Sequence, residues 1–112
     1  MISKALVAAS TKPIILAVLR HGENYGYQII QHVRELSGGE LAWSEPMIYP
    51  VLQRLERDGF IQAQWKVGDS GRFRRYYRMT ESGRKELERE TAQWFAVHDA
   101  FSRVLGLAGR RA

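Results

Sequence analysis

Residues 44–59, S-E-P-M-I-Y-P-V-L-Q-R-L-E-R-D-G, constrain the fold of this chain most, because both ends of a helix are marked there and the hydrophobic period changes directly afterwards. Ser44 is a preferred N-cap, whose hydroxyl can accept from an amide of the first turn. Glu45 follows where the helix dipole favours an acid, and Pro46 where a missing N–H costs little. Gly59 supplies the C-terminal stop. Ile48, Val51, Leu52 and Leu55 recur at i, i+3, i+4 and i+7 as one apolar stripe. The other face carries Tyr49, Gln53, Arg54 and Arg57, all able to donate hydrogen bonds. Pro50 removes an internal hydrogen bond and predicts a bend in the first two turns. A short helix with a packed back and a polar-basic front suits a DNA major groove, but it suits a solvated surface equally well. The flanking segments decide between them.

After Gly59 the period falls from 3.6 to 2. Ile61, Ala63 and Trp65 alternate with Gln62, Gln64 and Lys66; Phe73, Arg75, Tyr77 and Met79 alternate with Arg74, Tyr76 and Arg78. Two half-buried strands about Gly68-Asp69-Ser70-Gly71 make a hairpin, with Trp65 packed beneath it. Upstream, residues 3–21 form one helix or two short ones broken near Thr11–Pro13, and both readings stay open. A second helix, about 25–37, starts at Asn24-Tyr25-Gly26, buries Ile29, Ile30, Val33 and Leu36, and ends at Ser37-Gly38-Gly39. Two helices joined by a compact turn and followed by a basic hairpin give an α+β, mainly α chain. The expected architecture is a winged helix-turn-helix with a two-stranded wing, residues 1–79, and a dimerisation helix with its tail, residues 80–112.

That last helix is capped by Thr80 and continues to about Leu105, roughly 35–40 Å, longer than so small a body can cover. Leu87, Thr91, Trp94, His98, Phe101 and Leu105 recur at alternating spacings of four and three, the pattern of a helix-packing seam. Phe95, Val97 and Val104 widen it into an aromatic patch. A homodimer through this helix, packed on the N-terminal helix at Leu6, is the expectation; the competing one folds the helix back on its own body. Glu86, Glu88 and Glu90 are most simply its solvated face.

Composition narrows the function classes. The 112 residues suffice for one domain, and the net charge of +5 is concentrated at Arg72, Arg74, Arg75 and Arg78. Such a cluster is the electrostatic footprint of a polyanion binder. Without cysteine there is no disulfide, thiolate nucleophile or Cys-based zinc site, which fits a cytoplasmic location. His21, His32 and His98 lack metal-ligand spacing, so no metal and no cofactor is expected. Residues 1–9 faintly resemble a signal peptide, but Ser10-Thr11-Lys12 interrupts the apolar run, so they read as structure, and no run reaches membrane-spanning length. No catalytic motif is present, so no catalytic residue is assigned. The alternatives are a winged helix used for protein contact, which has no need of four wing arginines, and a non-specific DNA binder.

Three runs carry a resemblance: Y-G-Y-Q-I-I (25–30), I-Y-P-V-L-Q-R-L-E-R-D-G (48–59) and R-R-Y-Y-R-M-T-E-S-G-R (74–84). In this order they resemble the PadR family of transcriptional regulators, across nearly the whole chain. The single long C-terminal helix is similar to the short, LmrR-like subfamily. The resemblance implies a dimeric winged-helix repressor on a pseudo-palindromic double-stranded DNA operator. Family positions and helix face together make Ser44, Glu45, Met47, Tyr49, Pro50, Gln53, Arg54, Arg72, Arg74 and Arg75 the expected DNA-binding residues. Pro46 departs from the small residue common at that place. The subfamily further implies a planar aromatic or cationic ligand at the dimer centre, stacked on Trp94, with Val97, His98, Ala9 and Leu16 around it and Pro13 on its wall. Trp94 and Phe101 read equally well as dimer core.

Overall fold

A computed structural model of the chain describes residues 1–107; the tail expected at 108–112 lies outside the described residues. The elements run α1 (Lys4–Leu19), β1 (Asn24–Tyr25), α2 (Gly26–Leu36), α3 (Glu45–Arg57), β2 (Ile61–Val67), β3 (Phe73–Met79) and α4 (Glu81–Val104). The fold is that of a winged helix-turn-helix, mainly helical, with one small antiparallel sheet in the order β1-β3-β2. The sheet has three strands, where two were expected. Asn24 and Tyr25 pair with Tyr77 and Tyr76 before the chain turns into α2. Two residues held by backbone hydrogen bonds leave no periodicity to read.

The open question about the first helix resolves to a single one. α1 is continuous, with Pro13 inside it and buried. Its core side is Thr11, Pro13, Ile15, Leu16 and Leu19, and the Thr11 hydroxyl donates to the Val7 carbonyl at 2.6 Å. The buried stripes of α2 (Ile29, Ile30, Val33) and α3 (Ile48, Leu52, Leu55) close on it, with Ile61 and Tyr77 from the sheet. Leu36, expected in the stripe of α2, is exposed at the last turn.

Thr80 joins the two halves of the body. Its hydroxyl accepts from the Gly83 amide at 3.0 Å and donates to the Gly59 carbonyl at 2.7 Å, so one side chain caps α4 and ties it to the end of α3. Gly83 allows that approach, since a Cβ there would collide with the backbone oxygen of Phe60. Beyond this joint α4 lies on α1. Lys12 binds Glu86 and sits 3.4 Å from Glu90, and Arg89 clasps Glu86 from the next turn at 2.7–3.0 Å. Glu86 is therefore buried between cations, not part of a solvated face. Leu87 is also buried and packs into the core of its own protomer, which removes it from the expected dimerisation seam.

Candidate nucleic-acid interface

The outward face of α3 and the wing form the two walls of an open cleft of about 440 Å³. Glu45, Tyr49, Gln53 and Glu56 line the helix wall; Trp65, Phe73, Arg74 and Arg75 line the wing wall; Tyr25, Tyr27 and Tyr77 lie between. The helix wall follows from the 3.6-residue period, which puts Ile48, Leu52 and Leu55 inward and leaves Ser44, Glu45, Pro50, Gln53 and Arg54 exposed. Met47, also expected on this face, is less open than its neighbours. It lies on the shoulder of the apolar stripe, half-buried, and packs against the core.

Ser44 stands at the N-cap with extended backbone, but its side chain makes no capping bond. Pro46 occupies the second helical position and has no amide to donate. The Met47 amide, the next available, donates to the Ser44 carbonyl at 3.1 Å instead. The Ser44 hydroxyl is left at the exposed end of the helix.

Tyr49 owes its position to Gly26. A Cβ at residue 26 would stand 2.7 Å from the Tyr49 hydroxyl and 2.9 Å from its ring, so only glycine lets the ring lie on the first turn of α2. Partial burial, with the Glu45 carboxylate beside it, pushes the Tyr49 hydroxyl pKa up, so it is a neutral donor at physiological pH.

The wing arginines separate into distinct roles. Arg72 is exposed at the hairpin turn, closed by the Gly68 amide on the Arg72 carbonyl at 3.0 Å. Arg74 lies over the Tyr25 ring, 4.2 Å from its centre, and Tyr25 packs edge-on against Tyr76. Arg75 does not point outward to a phosphate. Its Nη2 donates to both carboxylate oxygens of Glu56, at 3.0 and 2.8 Å, and fastens the wing to the last turn of α3. That pairing raises the guanidinium pKa. The cause is strand alternation, which turns Arg75 with Tyr77 toward α3. Arg78 donates to Gln62 across the hairpin at 2.7 Å.

Sequence reasoning missed Tyr25, Tyr27 and Glu56 as cleft residues, and it buried Trp65, which is 53% exposed. Glu56 had a signal, an acid at the end of the basic helix face, but its partner lies nineteen residues away.

Comparison with known proteins decides what this arrangement is. The sequence pattern of the "Transcriptional regulator PadR-like family" matches residues 15–89, which include all of α2, α3 and the sheet. The chain belongs to the PadR-like family of transcriptional regulators. An uncharacterized protein of Lysinibacillus sphaericus is 30% identical over 100 residues, 88% of this chain and 91% of that one. The negative transcriptional regulator PadR of Bacillus subtilis is 34% identical over 87 residues, 78% of this chain but 46% of that protein, so this chain spans about half the length of that relative. A transcriptional regulator from Clostridium thermocellum has a solved structure with a TM-score of 0.83 at 26% identity, covering 92% of this chain and 97% of that one.

In this PadR-like regulator the distal half of α4 keeps a large apolar surface outside. Trp94 is 38% exposed, Phe95 61%, Phe101 62% and Val104 85%. Val97, His98 and Thr91 are exposed on the same helix, Leu105 at its C-cap, and Leu6 and Ala9 on α1. Leu16, expected beside Trp94, is fully buried in the core with Ile15, as is Pro13 on the same side of α1. Both side chains are covered by the chain itself. Among the described residues no helix is long and apolar enough to cross a membrane.

Proposed function

We propose that this chain is a sequence-specific DNA-binding regulator, a cytoplasmic repressor acting as a homodimer on a pseudo-palindromic operator. The observation that carries the reading is the juxtaposition of two surfaces: the exposed face of α3, with Ser44, Tyr49, Gln53 and Arg54, stands beside a wing with Arg72 exposed at its turn and Arg74 on the cleft wall. Side chains of the first type read base edges in a major groove; wing arginines bind phosphates and position the protein. Two such helices, one from each protomer, fit successive major grooves about 34 Å apart. The exposed aromatic surface of α4 supports the homodimer.

A titration of the purified chain on its own upstream DNA against a scrambled duplex, at two salt concentrations, tests this reading. Preference of about a thousandfold, a steep salt dependence and two protomers per duplex are expected. Equal binding to both duplexes leaves a non-specific DNA binder, and no binding at low salt leaves a protein-contact module.

The exposed indole of Trp94 also supports a planar aromatic or cationic ligand at the dimer centre, weakening DNA binding by a coupling of about 1–3 kcal/mol. Trp94→Ala should abolish binding of a planar aromatic cation; equal binding by the variant would put the pocket elsewhere.

A further inference from the structure

The wing carries apolar surface that neither the core nor a phosphate contact explains. Phe73 is 65% exposed and Val67 63%, and they face each other in the ladder. Trp65, opposite Arg75, stacks on Phe73 with ring centres 5.3 Å apart and planes 16° from parallel. Strand alternation puts Trp65 and Phe73 on the same face as Ile61 and Tyr77, which are buried. The pair therefore overhangs the core on the side of the recognition helix. It forms the outer wall of the cleft, and the Arg75 guanidinium stands 5.8 Å from the Trp65 ring.

With α3 in a major groove and the wing over the neighbouring minor groove, one sugar–phosphate strand passes between them. A backbone strand has two chemistries, anionic phosphates and the apolar faces of deoxyribose rings. The cleft has a matching division: Arg74 and the tyrosines on one part, the flat Trp65–Phe73 stack on the other. We propose that the Trp65–Phe73 pair packs on deoxyribose rings of the strand held in this cleft and supplies affinity that salt does not screen. This rests on the DNA-binding reading given above.

The test uses the full chain and the operator duplex, with dissociation constants measured over a range of salt. Trp65→Ala and Phe73→Ala should each weaken binding by about tenfold at every salt concentration, as loss of a buried aromatic contact does. The slope of log affinity against log salt should stay as in the wild type, whereas Arg74→Ala should reduce it by about 0.9. Trp65→Phe, which keeps the stack, should recover most of the loss. Because both side chains are exposed, the helical circular dichroism should not change. Unchanged affinity overturns the proposal, as does a loss accompanied by a reduced slope or an altered oligomeric state. A wild-type chain that binds no duplex overturns this contact and the DNA-binding reading together; binding that survives both alanine variants overturns this contact alone.

Discussion

Replacing Glu86 by glutamine should cost stability at neutral pH and nothing in strong acid. The carboxylate is 8% exposed between α1 and α4, with Lys12 on one side and Arg89 on the other. The Arg89 contact is an i, i+3 pair whose guanidinium is 59% exposed, so it contributes a few tenths of a kcal/mol at most. The Lys12 contact crosses between helices, and a charged hydrogen bond of that kind is worth roughly 1.5–3 kcal/mol. Lys12 is one-third exposed and retains Glu90 at 3.4 Å, which reduces the net loss to about 1–2 kcal/mol. For a chain of this size that lowers the melting temperature by roughly 4–10 °C.

The pH dependence separates this from a packing defect. Lys12 first, then Arg89, hold the Glu86 carboxyl below its ordinary value of 4.5. A group whose folded pKa is depressed contributes stability that is complete above the unfolded value and is lost as pH falls through the folded one. The gap between wild type and Glu86→Gln should therefore be full at pH 7, begin to close near 4.5, and vanish below the folded value. Denaturation followed by circular dichroism at fixed protein concentration measures it, the concentration being fixed because a dimer's stability depends on it. A gap of equal size at neutral and strongly acid pH, or no gap at all, would refute the ion-pair account.

Two further outcomes test other joints. Gly83→Ala should destabilise the chain by about 2–3 kcal/mol or more, since the new methyl meets the Phe60 backbone oxygen and comes within 2.9 Å of Met79; a melting temperature equal to wild type would show that the α4 cap can shift freely. Arg75→Ala should weaken DNA binding with the salt slope intact, because Arg75 braces Glu56 instead of a phosphate, and the charge-swapped pair Glu56→Arg with Arg75→Glu should recover part of the loss. A slope lower by about 0.9 in Arg75→Ala would return that arginine to the phosphate contacts.

The elements most legible from sequence were those with a side chain at every period. Ile48, Leu52 and Leu55 announced α3 and its inward face, and alternation over 61–67 and 73–79 announced the hairpin. What stayed hidden depended on partners far along the chain. Glu86 and Glu88 are the same residue type on nearly opposite sides of α4, and what buries Glu86 is Lys12, seventy-four residues earlier, lying against it. Arg75 looks like Arg74, and only their opposite strand faces separate the brace on Glu56 from the cation stacked on Tyr25. α1 is apolar on most sides, so its pattern could not show that Leu16 faces its own core. Ser44 carries a capping signature, yet its side chain makes no capping bond.

The contact between Gly26 and Tyr49 makes two distant codons one unit of inheritance. The tyrosine ring occupies the volume that any side chain at residue 26 would need. A lineage cannot enlarge residue 26 without moving a side chain of α3, and it gains freedom at residue 26 only by first giving up the ring. Divergence at position 49 should therefore leave its trace at the start of α2, twenty-three residues earlier in the chain.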